Sequence, residues 1–378
     1  QTVVANWGQR PFEHAAPSNH KCLTTTSLPT PTIADGSDYF DTVLYSGDGS
    51  SSKTVTGYSF TPDFLWIKER TNNGGDYGHR LMNSVRGADV SLRSNGSNSE
   101  RDSSSTIGGG VEAFVSGGFR IDQNTSGGSA NNNNQNNSTS TYVAWAWLAN
   151  TADSSNNDGN ITSNIRKNTT AGFSIAVYPF DNNNGNQTVG HGLGQIPDLV
   201  IRKDTNVGDP WSVYSKAVGF TQRSSLQNTA AWSGTTTFGS ASATTSVNRA
   251  NNMNSGTYID WSFVSVPGFS KIGTYEGNGD PDGPFVFTDF RVGWLLLKEV
   301  TDTGSWLIWD VKRRTFSPQG PYLLADDSAQ ESTTALVDFL SNGFKIRTST
   351  GSMNTDGEDY LYYAIAENPL QANGGLAR

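Results

Sequence analysis

One order of parts recurs three times along this chain. An extended apolar run ends in lysine, at Pro62 to Lys68 (PDFLWIK), Pro197 to Lys203 (PDLVIRK) and Val292 to Lys298 (VGWLLLK). Each is followed by an aromatic run opening on tyrosine, at Tyr142 to Trp147 (YVAWAW), Tyr258 to Phe263 (YIDWSF) and Tyr360 to Ile365 (YLYYAI). A tyrosine with a turn-forming stretch precedes every pair: Tyr45 with SGDG, Tyr178 with PFDNNNG and Tyr275 with EGNG. A unit copied in tandem is a structural module, so the repeat constrains architecture before any single residue does.

The opening tyrosines lie 133 and then 97 residues apart. That spacing gives a unit of about 100 residues, the size of a β-sandwich, with one enlarged copy. The expected division is an exit strand of a preceding sandwich plus a linker over 1–40, then sandwich modules over 41–150, 172–267 and 268–378. The last of these includes a C-terminal tail, and a polar linker is expected over 151–171. Residues 123–141, with NNNNQNN at their heart, read as an exposed loop, since burying them would strand amides.

The residue types agree with an all-β fold of tandem antiparallel β-sandwiches, concanavalin-like or jelly-roll-like. Val, Ile, Thr, Tyr, Phe and Trp gather in short segments bounded by Gly, Asn, Asp and Pro, and 41 glycines punctuate them. In the first lysine-terminated run Phe64, Trp66 and Lys68 alternate with Leu65, Ile67 and Glu69, and both registers are largely apolar. Such a strand is buried on both faces. In the aromatic runs the large rings read as core, with sugar-stacking aromatics on an open face as the other possibility.

Charge and cysteine count exclude some classes. The net charge is −9 and the only basic cluster is Lys312 to Arg314, so a nucleic-acid partner is not expected. No stretch is apolar enough for a membrane helix, and no membrane partner is expected. A single cysteine, Cys22, supplies no internal disulfide, which leaves packing and association with other chains to stabilise the fold. The start, QTVVANWGQR, carries neither a methionine nor a signal-like apolar core, which suggests a portion of something longer.

Chemistry-bearing motifs are few. The four histidines, His14, His20, His79 and His191, stand without partners at metal or nucleophile spacing. The HGLG at His191 has the look of an oxyanion loop but reads better as a glycine turn before a strand. Acidic pairs such as Asp280 with Asp282, Asp326 with Asp327 and Glu358 with Asp359 fall in apparent turns, so no enzymatic site and no catalytic residue is assigned. Asn278, Asp280, Asp282 and Asp289 reproduce the oxygen spacing of a calcium loop, although Asn stands first and Asp replaces the bidentate Glu at the twelfth position. An ordinary hairpin turn is the competing reading, and calcium is the only cofactor entertained.

The segments FDTVLYSGDG, TPDFLWIKER, NSVRGA, GGFRI and YVAWAW, within residues 40–148, resemble a recurring module of bacteriophage tail-fibre and other virion-appendage proteins of marine and cyanobacterial phages. Residues 6–40 resemble the exit strand and linker of a concanavalin-like sandwich that precedes that module in those proteins. The later copies keep the two strand signatures but replace the SVRG segment with KAVG at Lys216 and VKRRT at Lys312. The resemblance implies a virion structural protein, tail fibre or similar appendage, that mediates host attachment from outside the cell. It implies a homotrimer that contacts other virion proteins and a host surface glycan or protein, with trimerisation covering the remaining apolar faces and the modules forming a rigid rod. No functional residue carries over. Alternatives are a carbohydrate-binding module array of a secreted or surface protein, with Trp211 and Trp232 as glycan contacts, a capsid decoration protein, or a polysaccharide depolymerase. If adhesion is the task, the loop at residues 124–137 or the C-terminal module is the expected contact region.

Overall fold

Each lysine-terminated run is a strand with two apolar faces, and both faces find a partner. The computed structural model describes residues 32–71, 78–102, 110–122, 135–235, 237–248 and 253–367. The expected exit strand before residue 32 and Cys22 lie outside these residues, as does most of the loop at 123–141. Within them the chain is nearly all β, its sheets are antiparallel, and the same strand order appears three times.

In repeat one the strands Phe40–Ser46, Thr141–Trp147, Phe64–Glu69 and Arg80–Asn83 lie side by side in that order, extended by Gly87–Leu92 and Arg101–Asp102. In repeat two the corresponding strands are Phe173–Phe180, Gly256–Phe263, Leu199–Asp204 and Ser212–Ser215. In repeat three they are Ser270–Glu276, Asp359–Ala366, Val292–Glu299 and Leu307–Asp310. Every repeat adds a three-stranded sheet with its own fixed order: Lys53–Thr56, Gly118–Asp122, Gly110–Val115 in the first. Gln187–Gly190, Thr245–Asn248, Phe238–Ala241 and Phe285–Phe287, Gly343–Ile346, Val337–Leu340 repeat that order in the other two.

Side-chain parity divides the core. Leu65, Ile67, Tyr142, Ala144 and Ala146 face the small sheet of their own repeat and pack on Val55, Phe119 and Ile121. Phe64, Trp66, Val143, Trp145 and Trp147 face the other way and enter one cluster shared with Phe173, Trp261, Phe263, Trp294 and Tyr363. The rings touch across repeats: Phe64 with Trp261 at 5.3 Å, Phe263 with Tyr363 at 5.1 Å, and Phe40 with Trp294 at 5.9 Å between centroids. Those three contacts join repeat one to two, two to three, and three to one. Aromatic pairs at such separations add about 0.5–1.5 kcal/mol each beyond the area they bury.

The repeats therefore close on themselves and do not run out as a rod. A rod would carry contacts between one and two and between two and three only. The joint between repeats three and one is instead extensive: Trp145 Nε1 donates to Asp310 Oδ2 at 3.0 Å, and Arg70 forks onto Glu331 at 2.9 and 3.0 Å. This closure accounts for the doubly apolar strands. The faces reserved in the sequence reading for partner chains are covered by the other two repeats.

Two further expectations need correction. Residues 151–171 are not a free linker: Ser154–Asn156 and Ser163–Asn168 add two antiparallel strands to the edge of the second large sheet. Ile161 and Ile165 are the buried apolar side chains that anchor them, alongside the buried polar Asn156, Ser163 and Asn168, too few to advertise a strand in so polar a stretch. The polar loop is not wholly exposed either, since Gln135, Asn136 and Ser140 are buried.

Candidate functional site

The perturbed ionisable groups sit at one end of each large sheet. There the terminal lysine is followed by an acid, as Lys68–Glu69, Lys203–Asp204 and Lys298–Glu299, and all six are buried. Across the sheet the acids pair in register with Tyr142, Tyr258 and Tyr360. Burial pushes Lys203 and Lys298 down to about 8, and pushes Glu299 up to about 7 against the pull of Lys298. A cluster of shifted groups is a common mark of an active site.

Here the geometry gives it a structural task. Each ammonium donates to the carbonyl of the acid that follows it, at 2.7 Å for Lys68, 2.6 Å for Lys203 and 2.9 Å for Lys298. Lys68 also reaches Ser328 O of repeat three at 3.1 Å, and Lys298 reaches Thr229 O of repeat two at 3.4 Å. Lys203 instead reaches Val207 O of its own repeat at 3.1 Å. A complete ring of bonds between repeats is made by other side chains. His79 Nε2 meets Leu324 O at 2.8 Å, Trp211 Nε1 donates to Arg93 O at 2.8 Å, and Trp306 Nε1 donates to Ser225 O at 3.0 Å. These three residues immediately precede the fourth strand of their sheets. Because His79 Nδ1 accepts the Trp66 indole hydrogen at 2.7 Å, the ring proton sits on Nε2 and serves as the donor to Leu324. Burial holds His79 well below the usual histidine range, so it stays neutral.

The residues singled out in the sequence land elsewhere than expected. Trp211 is fully buried and its indole is spent on the repeat joint, so it has no face for a sugar. Trp232 is buried too, at 7% exposure, with its backbone N–H bonded to Val300 O. It lines a cavity of about 330 Å³ between repeats two and three, but it presents no open platform. The calcium spacing at Asn278, Asp280, Asp282 and Asp289 does not become a cage. Asn278 Oδ1 accepts from the Asp280 N–H and Asp280 Oδ1 from the Asp282 N–H, while Asp282 is paired with Lys345 and Arg347 at 3.2 and 3.0 Å. Among the described residues no group of acids, histidines or cysteines could hold a metal.

The turn itself has a keystone that sequence reasoning missed. Asn354 is fully buried, accepts from Asn278 N at 2.8 Å, and donates to Asn278 Oδ1, Asp280 O and Thr348 O. Asn136 does the same for repeat one, accepting from Asp48 N and donating to Asp48 Oδ1 and Ser50 O. The chain approaches so closely there that a Cβ on Gly47 or Gly277 would lie 2.0 or 2.2 Å from the carbonyls of Asn137 and Thr355. That contact is why glycine opens both turns.

One polar cavity of about 220 Å³ belongs to repeat two alone. Its floor holds Arg202, Asp204 and Tyr214, all buried, and its rim holds the exposed Asn254 and the half-buried Asp209 and Arg223. Arg202 grips Asp260 through Nε and Nη2, both at 2.7 Å, and Tyr178 donates to the same carboxylate at 3.0 Å. The guanidinium carbon stands 5.1 Å from the Phe238 ring centre and 5.5 Å from that of Tyr214. At the positions of Arg202 and Asp260 repeat one has Ile67 and Ala144, and repeat three has Leu297 and Tyr362. The charged pair is thus a local departure from an uncharged scaffold.

Comparison with known families places the chain. A family model described as a domain of unknown function, DUF7483, matches residues 35–369, and the chain belongs to that family. No curated protein matches it.

Proposed function

We propose, from membership of a family whose role is open, that this chain is a non-enzymatic virion structural protein, a tail fibre or similar appendage that attaches to a host surface. The likeness of residues 40–148 to phage appendage modules supports the virion setting. The observation that carries the attachment role is the use made of the buried ionisable groups. The three lysine–acid pairs are bonded into repeat ends and joints, which leaves the scaffold rigid and puts recognition on loops and on the cavity of repeat two. Rigid scaffolds that present variable loops are the usual design of binding proteins.

The homotrimer is not required for stability in this reading, because the apolar faces it would cover are covered within one chain. Contacts to other virion proteins and to a host glycan or protein remain part of the proposal. A carbohydrate-binding protein outside any virion is the second reading, favoured by the polar cavity of repeat two. The test is adsorption of the purified, labelled chain to a panel of intact bacterial cells and to their extracted surface polysaccharide, with reducing ends assayed in parallel. Saturable binding to cells without release of reducing ends supports attachment. Binding to no cell type, or release of reducing ends, overturns it.

A further inference from the structure

The three-stranded sheets of repeats two and three differ at one edge. In repeat two the edge strand Gln187–Gly190 is covered by the segment that precedes the repeat. Ile161 N donates to Thr188 O at 3.0 Å, Thr188 N to Asn160 Oδ1 at 2.6 Å, and Ser163 Oγ to Gly190 O at 3.2 Å. In repeat three the equivalent strand is Phe285–Phe287, with the buried Val286 in the place of Val189. Only residues 264–269 separate repeat three from the last strand of repeat two, and they add no strand to either sheet.

The ladder fixes what this edge presents. Ile346 N donates to Pro284 O and Thr288 N to Asn342 O, at 3.1 and 3.0 Å. By the alternation of an antiparallel pair, Phe285 and Phe287 therefore turn their N–H and C=O groups away from the sheet. Lys271 Nζ donates to Phe287 O at 2.8 Å, while the Phe285 N–H and C=O have no partner among the described residues. The opposite edge of the same sheet is closed by the chain itself. There Gln319 N donates to Val337 O at 2.6 Å, and Ser317 Oγ bonds the N–H and the C=O of Phe339 at 2.9 and 3.0 Å.

The side chains mark the open edge as well. Phe285 and Phe287 are 45% and 50% exposed. Repeat one has Thr54 and Thr56 at these positions, on either side of the buried Val55, so the framework accepts threonine there. Edge strands that stay in solvent are guarded by polar or charged residues, and two exposed rings beside unpaired backbone groups reverse that rule. Charge orients the occupant. Asp280 and Asp282 precede Phe285, whereas Lys271 stands at the Phe287 end, 5.3 Å from that ring, with Asp289 the one acid beyond it. An antiparallel copy sets the lysine end of one strand against the acidic end of the other.

We propose that the strand Phe285–Phe287 pairs with the same strand of a second copy of this chain, antiparallel about Val286, in a two-fold dimer. Phe285 of each copy exchanges backbone bonds with Phe287 of the other, whose carbonyl has a second lone pair beside Lys271. The four rings pack across the junction as cross-strand pairs. Such a contact buries far less than the ~1,200 Å² of a standard interface, so the dimer is weak. The inference does not depend on a virion setting, and a chain that binds no cell can still pass its test.

The test is sedimentation equilibrium of the intact chain over a wide concentration range. A monomer–dimer equilibrium with a dissociation constant on the order of 100 µM is expected. Phe285→Thr with Phe287→Thr, which installs the residues of repeat one, should raise that constant at least about tenfold. Lys271→Glu should weaken the dimer too, and more so at low salt. Melting curves check the fold of both variants, and Lys271→Glu, a surface change, keeps the test decisive if the double variant unfolds. A chain that stays monomeric at about 1 mM, a trimer or higher oligomer, or a dimer that survives both variants overturns the proposal.

Discussion

Asp260→Ala isolates the exceptional feature of repeat two. The substitution strips Arg202 of both its 2.7 Å bonds and Tyr178 of its acceptor, in a place where Arg202 and Asp260 are each 2% exposed. Removing one partner of a buried pair costs about 3–5 kcal/mol, because the remaining charge stays desolvated. Loss of the Tyr178 hydrogen bond to the same carboxylate adds to that cost. Arg202→Leu with Asp260→Tyr installs the pair that repeat three carries as Leu297 and Tyr362. That double variant should recover most of the loss and stand at least about 2 kcal/mol above Asp260→Ala, since hydrocarbon replaces the whole pair. Urea unfolding followed by tryptophan fluorescence measures all three proteins, with unchanged m-values as the check that the unfolded reference is the same. A loss below about 1 kcal/mol for Asp260→Ala, or a double variant no more stable than the single, refutes the claim that the pair is buried, coupled and foreign to its framework.

Other substitutions reach other parts of the structure. Asn354→Ala should cost about 2–3 kcal/mol in the same assay, because it leaves the Asn278 N–H and several turn carbonyls without their buried partner. Glu299 binds its proton more tightly folded than unfolded, at about 7 against 4.5, so its contribution is fully present below pH 4.5 and is lost as pH rises through 7. The stability difference between the native chain and Glu299→Gln should fall across that window, and a flat difference contradicts the burial of the acid. Lys203 and Lys298 work in the opposite sense: their depressed value of about 8 makes stability rise between pH 8 and 10.5 relative to Lys→Met variants, measured by urea unfolding at each pH. EDTA should leave the melting temperature unchanged, and a drop would restore the calcium reading of Asp280 and Asp282.

The strands were legible because short runs of β-branched and aromatic residues are bounded by glycine, asparagine, aspartate and proline. The run Phe64 to Glu69 announced burial on both faces, but it could not say whether the second face met another chain or another repeat. Local pattern is the same in either case, so closure around Trp145, Trp261 and Trp294 was invisible. Trp211 and Trp232 were misread for a related reason: they lie outside strand signatures, and only the joint between repeats buries them. Asn136 and Asn354 hid in polar tracts, where a buried amide looks like its exposed neighbours. The Arg202–Asp260 pair was visible in principle, since PDLVIRK and YIDWSF each break an apolar pattern that the other two copies keep. The signal was an aligned charge in two paired strands.

Closure of three repeats around one shared core is the central claim, and differential scanning calorimetry of the intact chain tests it most directly. Repeats that share Phe64, Trp147, Trp261, Phe263, Trp294 and Tyr363 across every joint cannot melt separately. The prediction is one transition whose calorimetric and van't Hoff enthalpies agree, with a ratio of about 1. A ratio of about 3, or resolved transitions that move independently when Trp145 and Asp260 are substituted one at a time, would mean three separate modules and would contradict the account.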